Sequence, residues 1–114
     1  MITENSSKAA LYIRCACVGQ GDPCGEQRKL LTQEAASHGK EVTREYVDAG
    51  CPGTSPKKCP QLLRLLDDAK AGLFKHLFVR DVARLSRGSE VWKLISELQD
   101  AGVTMHFVDD KMVV

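Results

Sequence analysis

The chain has 114 residues, enough for one domain with a buried core and too few for two. A formal net charge of +1 excludes a protein that coats nucleic acid by bulk attraction, so any such contact must rest on a local patch. No apolar run approaches the roughly 18 residues of a membrane helix, and the polar opening stretch carries no signal sequence, so the chain is expected in the cytoplasm with no membrane partner.

Residues 1–7 read as a disordered tail. The run Ala9–Cys17, apolar except for Arg14, predicts a buried strand. Val18–Gly25 contains Gly19, Gly21, Asp22, Pro23 and Gly25 and predicts a loop. Glu26–His38 predicts a helix with Leu30, Leu31 and Ala35 on one stripe, ended by Gly39. Glu41–Val47 is rich in β-branched and aromatic residues and predicts a second strand. Asp48–Pro60 predicts a long loop holding Lys57 and Lys58, with Pro60 opening the next helix, Gln61–Ala71. Leu62, Leu65, Leu66 and Ala69 form that helix's stripe, and Gly72 stops it. His76–Val79 predicts a third strand. Glu90–Ala101 predicts a third helix, with Ser89 as N-cap and Val91, Leu94, Ile95 and Leu98 inward. Thr104–Val108 predicts a fourth strand.

This β-α-β-α-β-α-β order implies an α/β domain with a mainly parallel sheet of four or five strands flanked by helices. Ligands of such sheets bind outside the carboxyl ends of the strands. That rule brings Arg14, Lys57, Lys58, Arg84 and Arg87 toward one mouth. Arg84 and Arg87 stand three apart and share a face if they lie on one helical turn. Guanidinium groups suit phosphate because each presents a planar fork of donors that keeps its charge. Arg14 stands in an apolar strand, and a buried charge needs a partner; a phosphate and an internal ion pair with Asp48 or Asp81 both satisfy that need.

Other patterns point to weaker chemistry. Gly19, Gly21 and Gly25 lie between a strand and a helix, with Asp48 ending the second strand, and so imitate a nucleotide-binding loop. The spacing is one residue too long and Pro23 interrupts it. The five cysteines, Cys15, Cys17, Cys24, Cys51 and Cys59, form no CxxC pair, and their odd number fits small buried side chains in a reducing compartment. His38, His76 and His106 show no metal-ligand spacing, and Trp92 reads as packing beside the inward stripe of its helix.

Several spaced motifs together resemble the serine recombinases, the resolvases and invertases. Tyr12-Ile13-Arg14-Cys15-Ala16 resembles their opening Y-x-R-V-S, and Gln27 their first-helix glutamine. The stretch from Tyr46 to Ser55 resembles their VDEGISGTS loop, Arg84-Leu85-Ser86-Arg87 their R-L-S-R motif, and Gly102–Asp110 the strand closing their catalytic core. The resemblance implies a resolvase-like three-layer domain over residues 8–110, with 111–114 a truncated end and the DNA-binding domain absent. It implies DNA as partner, and homo-oligomers or hetero-oligomers with a full-length recombinase. In that family a serine attacks a DNA phosphodiester without metal or cofactor, so arginines must stabilise the charge of the transition state. Carried over, Arg14, Arg84 and Arg87 clamp the phosphate with Lys58 assisting, and Gln27 and Asp48 support the pocket.

The departures fall at the site itself. Ala16 stands at the nucleophile position, Pro52 at the loop serine, Cys59 at the arginine before the loop proline, and Ala83 at the acidic position before Arg84. Strand cleavage is therefore expected to be impaired or absent unless Cys15 or Cys17 substitutes. The remaining alternatives are a non-catalytic module that dimerises with an intact recombinase, and a nucleotide-binding domain using Gly19, Gly21 and Gly25.

Overall fold

A computed structural model describes residues 7–15, 23–49, 59–86, 88 and 90–114. The elements are β1 (Lys8–Cys15), α1 (Pro23–Ser37), β2 (Glu41–Ala49), α2 (Pro60–Lys70), β3 (His76–Val79), α3 (Val82–Leu85), α4 (Val91–Asp100), β4 (Thr104–Phe107) and β5 (Met112–Val113). The sheet runs β2-β1-β3-β4-β5, parallel except for β5, which pairs antiparallel with β4.

Strand alternation divides the core between two faces. Ala9, Leu11 and Ile13 of β1 join Phe78, Leu31 and Ala35 beneath α1. Ala10 and Tyr12 face the other way, joining Leu62, Leu65, Leu77, Val79, Leu94, Leu98, Met105 and Phe107 beneath α2 and α4. The result is a three-layer domain in which, among the described residues, α1 is the one helix on its side. Residues 9–13 have no exposed surface at all, as expected of an inner strand covered on both faces.

One irregularity decides which way β2 points near its end. Ala9 lies opposite Val42, but Ala10 lies opposite Arg44, so Thr43 is an extra residue on β2. Val42 and Val47 can therefore both pack on the α1 side despite their odd spacing. Beyond the irregularity, Tyr46 faces the α2 side, and Asp48 follows it.

Several expected boundaries move. The first helix begins at Pro23 rather than Glu26, so Pro23 and Gly25 belong to helix and not to loop. Proline is well placed in a first turn, where its missing N–H costs nothing. β2 continues to Ala49, taking Asp48 out of the expected loop, and Pro60 is the first residue of α2. Glu90, not Ser89, occupies the cap position of α4, and it makes no side-chain cap bond; Ser89 lies outside the described residues. Two short elements, α3 and β5, join those expected. Trp92 is 63% exposed and lies outside the packing assigned to it from sequence.

Candidate active site at the carboxyl ends of the strands

Strand order reverses direction at β1: one connection leads out to β2, and the next crosses back to β3. The crevice outside such a switch point is where doubly wound sheets hold ligands. Arg14 and Asp48 close β1 and β2 there, as Cα partners in register, and β3 leads through Arg80 and Asp81 into the α3 turn carrying Arg84.

Arg14 is 3% exposed, and its fork points at the backbone. Nη2 donates to the Ala83 carbonyl at 2.6 Å and Nε to the Arg84 carbonyl at 3.1 Å. Among the described residues no carboxylate pairs with it, so the ion pair considered with Asp48 or Asp81 does not form. Gln27, buried on α1, donates from Nε2 to the Arg14 carbonyl at 3.3 Å and ties α1 to the end of β1.

Asp48, 2% exposed, does a different task. Its Oδ1 accepts the Gln61 amide at 3.0 Å, and its Oδ2 accepts the Leu62 amide at 3.0 Å and the Tyr12 hydroxyl at 2.9 Å. The first-turn amides of a helix lack intrahelical partners, and a negative charge there complements the helix dipole. Cys59, at the cap position of α2, makes no side-chain cap bond. Asp48 thus caps α2 from the neighbouring strand and joins the two sides of the 50–58 segment. Burial, and then the carboxylate beside it, push the Tyr12 phenol well above its ordinary range and keep it a donor.

Arg84 sits on a turn held at both ends. Its amide donates to Asp81 Oδ1 at 2.8 Å, Asp81 being the N-cap of α3. Asp110 Oδ2 accepts the Val82 amide at 2.9 Å, and Arg80 pairs with Asp109 at 2.8 Å, tying the start of α3 to the turn before β5. The side-chain Nε of Arg84 is buried and has no hydrogen-bond partner among the described residues. The α3 helix stops at Leu85, and Ser86 is extended (φ −166°, ψ 144°), so the helical turn that carries Arg84 ends before Arg87 and the condition for a shared helical face is not met.

Arg87, Ala16, Cys17, Lys57, Lys58, Gly19, Gly21 and Pro52 lie outside the described residues. The structure thus brings together Arg14, Gln27, Asp48 and Arg84 from the sequence-derived set. It adds Tyr12, whose hydroxyl is aimed by strand register, and the carbonyls of Ala83 and Arg84, which carry no signal in any sequence.

The three histidines, separate in sequence, meet on the α1 side. His76 Nδ1 and His106 Nε2 are 3.1 Å apart, His106 stacks on Phe78 at 4.3 Å, and the His38 ring lies 5.1 Å from His106. Strand pairing sets Phe78 opposite His106, and α1, which packs on β1, β2 and β3, delivers His38 from its end. Burial, then His76 and His38, lower His106 to about 4. Among the described residues, no group of three or more His, Cys, Asp or Glu side chains is arranged to hold a metal. No helix among them is long and apolar enough to cross a membrane.

Comparison with known proteins places this arrangement. A model of the resolvase N-terminal domain matches residues 9–113. The N-terminal catalytic domain of TP901-1 integrase superposes with a TM-score of 0.87 at 26% identity, over 93% of this chain and 81% of that one. A resolvase family site-specific recombinase from Streptococcus pneumoniae gives 0.78 at 27% identity, over 93% and 74%. The C-terminal catalytic domain of ISC1926 TnpA, an IS607-like serine recombinase, gives 0.82 at 21% identity, over 89% and 69%, a likeness of fold. No relative is found among curated proteins. The chain belongs to the resolvase N-terminal-domain family and has the fold of serine-recombinase catalytic domains.

Proposed function

We propose that this domain engages a DNA phosphodiester through the arginine-bearing turn after β3 and, with Ala16 at the nucleophile position, does not cleave it. The observation that carries this reading is Arg84. It lies at the switch-point crevice of a recombinase fold, on a turn fixed by Asp81 and Arg14. A guanidinium so placed suits a phosphate oxygen. Arg87 and Lys58 add phosphate contacts in this reading, and Gln27 and Asp48 support the pocket by fixing the strand ends.

Loss of a catalytic nucleophile costs on the order of 10⁶-fold in rate in a well-studied protease. Ala16 has no group that can attack phosphorus. The domain then acts as a DNA-contacting partner in an oligomer, either with itself or with an intact recombinase, and requires no metal or cofactor to do so.

The test uses a nicked suicide substrate bearing a trapped half-site. Wild type is expected to bind DNA with a steep negative dependence on salt and to leave no covalent protein–DNA adduct. An adduct from the wild type would overturn the assignment of Ala16, and Cys15→Ala and Cys17→Ala variants would then locate the attacking thiol. Failure to bind DNA at low salt would overturn the phosphodiester reading. If Ala16→Ser restores an adduct, the remaining pocket is competent; if it does not, Pro52 and Cys59 mark further missing groups.

A further inference from the structure

We propose that Asp110 is a positioning residue: from the turn between β4 and β5 it holds the amide end of α3, and so sets the aim of Arg84 toward a bound phosphate, although its own charge repels one. This rests on the phosphodiester reading above and adds to it the remote element that places the arginine.

The shortness of α3 is the first ground. A four-residue helix has too few internal bonds to persist alone, and its first amides lack intrahelical partners. Two carboxylates supply acceptors. Asp81, the N-cap, accepts the Arg84 amide at 2.8 Å, a local contact. Asp110 Oδ2 accepts the Val82 amide at 2.9 Å from 28 residues away in the chain. A local cap shapes the turn, whereas a remote one also fixes where the turn sits on the domain.

The second ground is the rigidity of the segment that presents Asp110. Pairing of β3 with β4 continues beyond both strands: the Val108 amide donates to the Val79 carbonyl at 3.0 Å, and the Asp109 amide to the Arg80 carbonyl at 2.7 Å. The Asp109 carboxylate then takes Arg80 Nε at 2.8 Å. The Lys111 amide closes on the Val108 carbonyl at 3.2 Å, with Lys111 at φ +52°, a left-handed conformation that a side chain disfavours. The strand pairing on either side holds it there, Met105 and Val114 exchanging backbone bonds at 2.8 and 2.9 Å.

The third ground is charge. Asp109 is matched by Arg80, but the exposed Asp110 forms no ion pair among the described residues. Its bond to Val82 keeps it within about 10 Å of the Arg84 backbone, roughly one Debye length at 0.1 M salt. A bare carboxylate there repels DNA, so its removal should tighten binding unless it also places the arginine. The two roles predict effects of opposite sign.

A double-mutant cycle on DNA affinity separates them. Binding of a short fluorescent duplex is measured by anisotropy over a range of salt, and the melting temperature of each protein is recorded. The proteins are wild type, Asp110→Ala, Asp110→Asn, Arg84→Ala and both Asp110 variants combined with Arg84→Ala. Asp110→Ala is expected to weaken binding roughly fivefold in the wild-type background, and to tighten it slightly once Arg84 is gone and only the charge effect remains. Asp110→Asn keeps an oxygen for the Val82 amide and removes the charge, so it should bind at least as tightly as wild type. Unchanged or tighter binding by Asp110→Ala with Arg84 present would make Asp110 a surface charge only, overturning the inference and leaving the functional reading intact. An equal loss with and without Arg84, with a lowered melting temperature, would mark a merely structural role and overturn it too. So would Asp110→Asn binding as weakly as Asp110→Ala. A wild type with no salt-dependent binding, or Arg84→Ala binding as tightly as wild type, would overturn the functional reading and this inference with it. Separately from DNA, the Val82 and Arg84 amides should exchange faster in Asp110→Ala than in the wild type, followed by ¹⁵N NMR, and unchanged exchange at both would remove the geometric ground.

Discussion

Replacing Asp48 with alanine should be among the most damaging single changes at the strand ends, for a reason unconnected with DNA. The side chain accepts from two first-turn amides of α2 and from the Tyr12 hydroxyl, all at 2.9–3.0 Å, in a site 2% exposed. Hydrogen bonds to an ionised acceptor contribute about 1.5–3 kcal/mol each, and loss of a helix cap costs about 1 kcal/mol. The three bonds share one carboxylate and cannot add in full, so Asp48→Ala is expected to cost about 3–5 kcal/mol. That is a large share of the roughly 5–15 kcal/mol by which a domain is stable. Tyr12→Phe removes one bond and leaves both amides capped, for about 1–2 kcal/mol. With Asp48 already replaced, Tyr12→Phe should cost almost nothing, because it then removes a buried hydroxyl that has lost its acceptor. Urea unfolding followed by far-ultraviolet circular dichroism is the suitable assay, since the single tryptophan, Trp92, is 63% exposed and would report weakly on unfolding. A loss below about 1 kcal/mol for Asp48→Ala, or equal costs of Tyr12→Phe in the two backgrounds, would refute the capping role.

Two further outcomes follow from local physics. His106 is held neutral, at about 4 against an ordinary 6.5, so its contribution is fully present above pH 6.5 and is lost as pH falls through about 4. Unfolding midpoints measured across that window should drop in the wild type and stay flatter in His106→Leu; parallel curves would contradict the assignment. Gly72 follows α2 at φ +77°, with open space where a Cβ would sit, so Gly72→Ala should cost about 1 kcal/mol from backbone conformation alone, read as a small fall in the urea midpoint.

The elements legible in the sequence were those with long apolar periods. The Leu62/Leu65/Leu66/Ala69 and Val91/Leu94/Ile95/Leu98 stripes are buried as their spacing requires. The α3 and β5 segments escaped because four and two residues contain no period. Pro23 gives the same local signal in a loop and in a first helical turn, so the sequence does not locate the start of α1. The extra residue at Thr43 could not be foreseen, because alternation along β2 says nothing about how its neighbour is paired. At the site, the residue types at Arg14, Gln27, Asp48 and Arg84 were visible through motif spacing. What they bond to was not, since two of the partners are backbone carbonyls and two are amides of a helix thirteen and fourteen residues away. The histidine cluster was hidden for the same reason: it is assembled by strand register and by where α1 ends.

The unequal covering of the sheet bears on how the molecule opens. Among the described residues, α2 and α4 share a continuous apolar layer on one side that also takes in Leu85 of α3; on the other, α1 rests on a smaller set of buried side chains centred on Leu31, Ala35 and Phe78. Free energies of partial unfolding follow the apolar contact that each unit must give up. The α1 side is therefore the cheaper one to lift, and a fluctuation that lifts it withdraws Gln27 from the end of β1 while the α2–α4 half, with Asp48 and the Arg84 turn, stays folded. Amide exchange is therefore expected to be faster on α1 than on α2 and α4, with the Gln27 bond to the Arg14 carbonyl lost before the Asp48 cap.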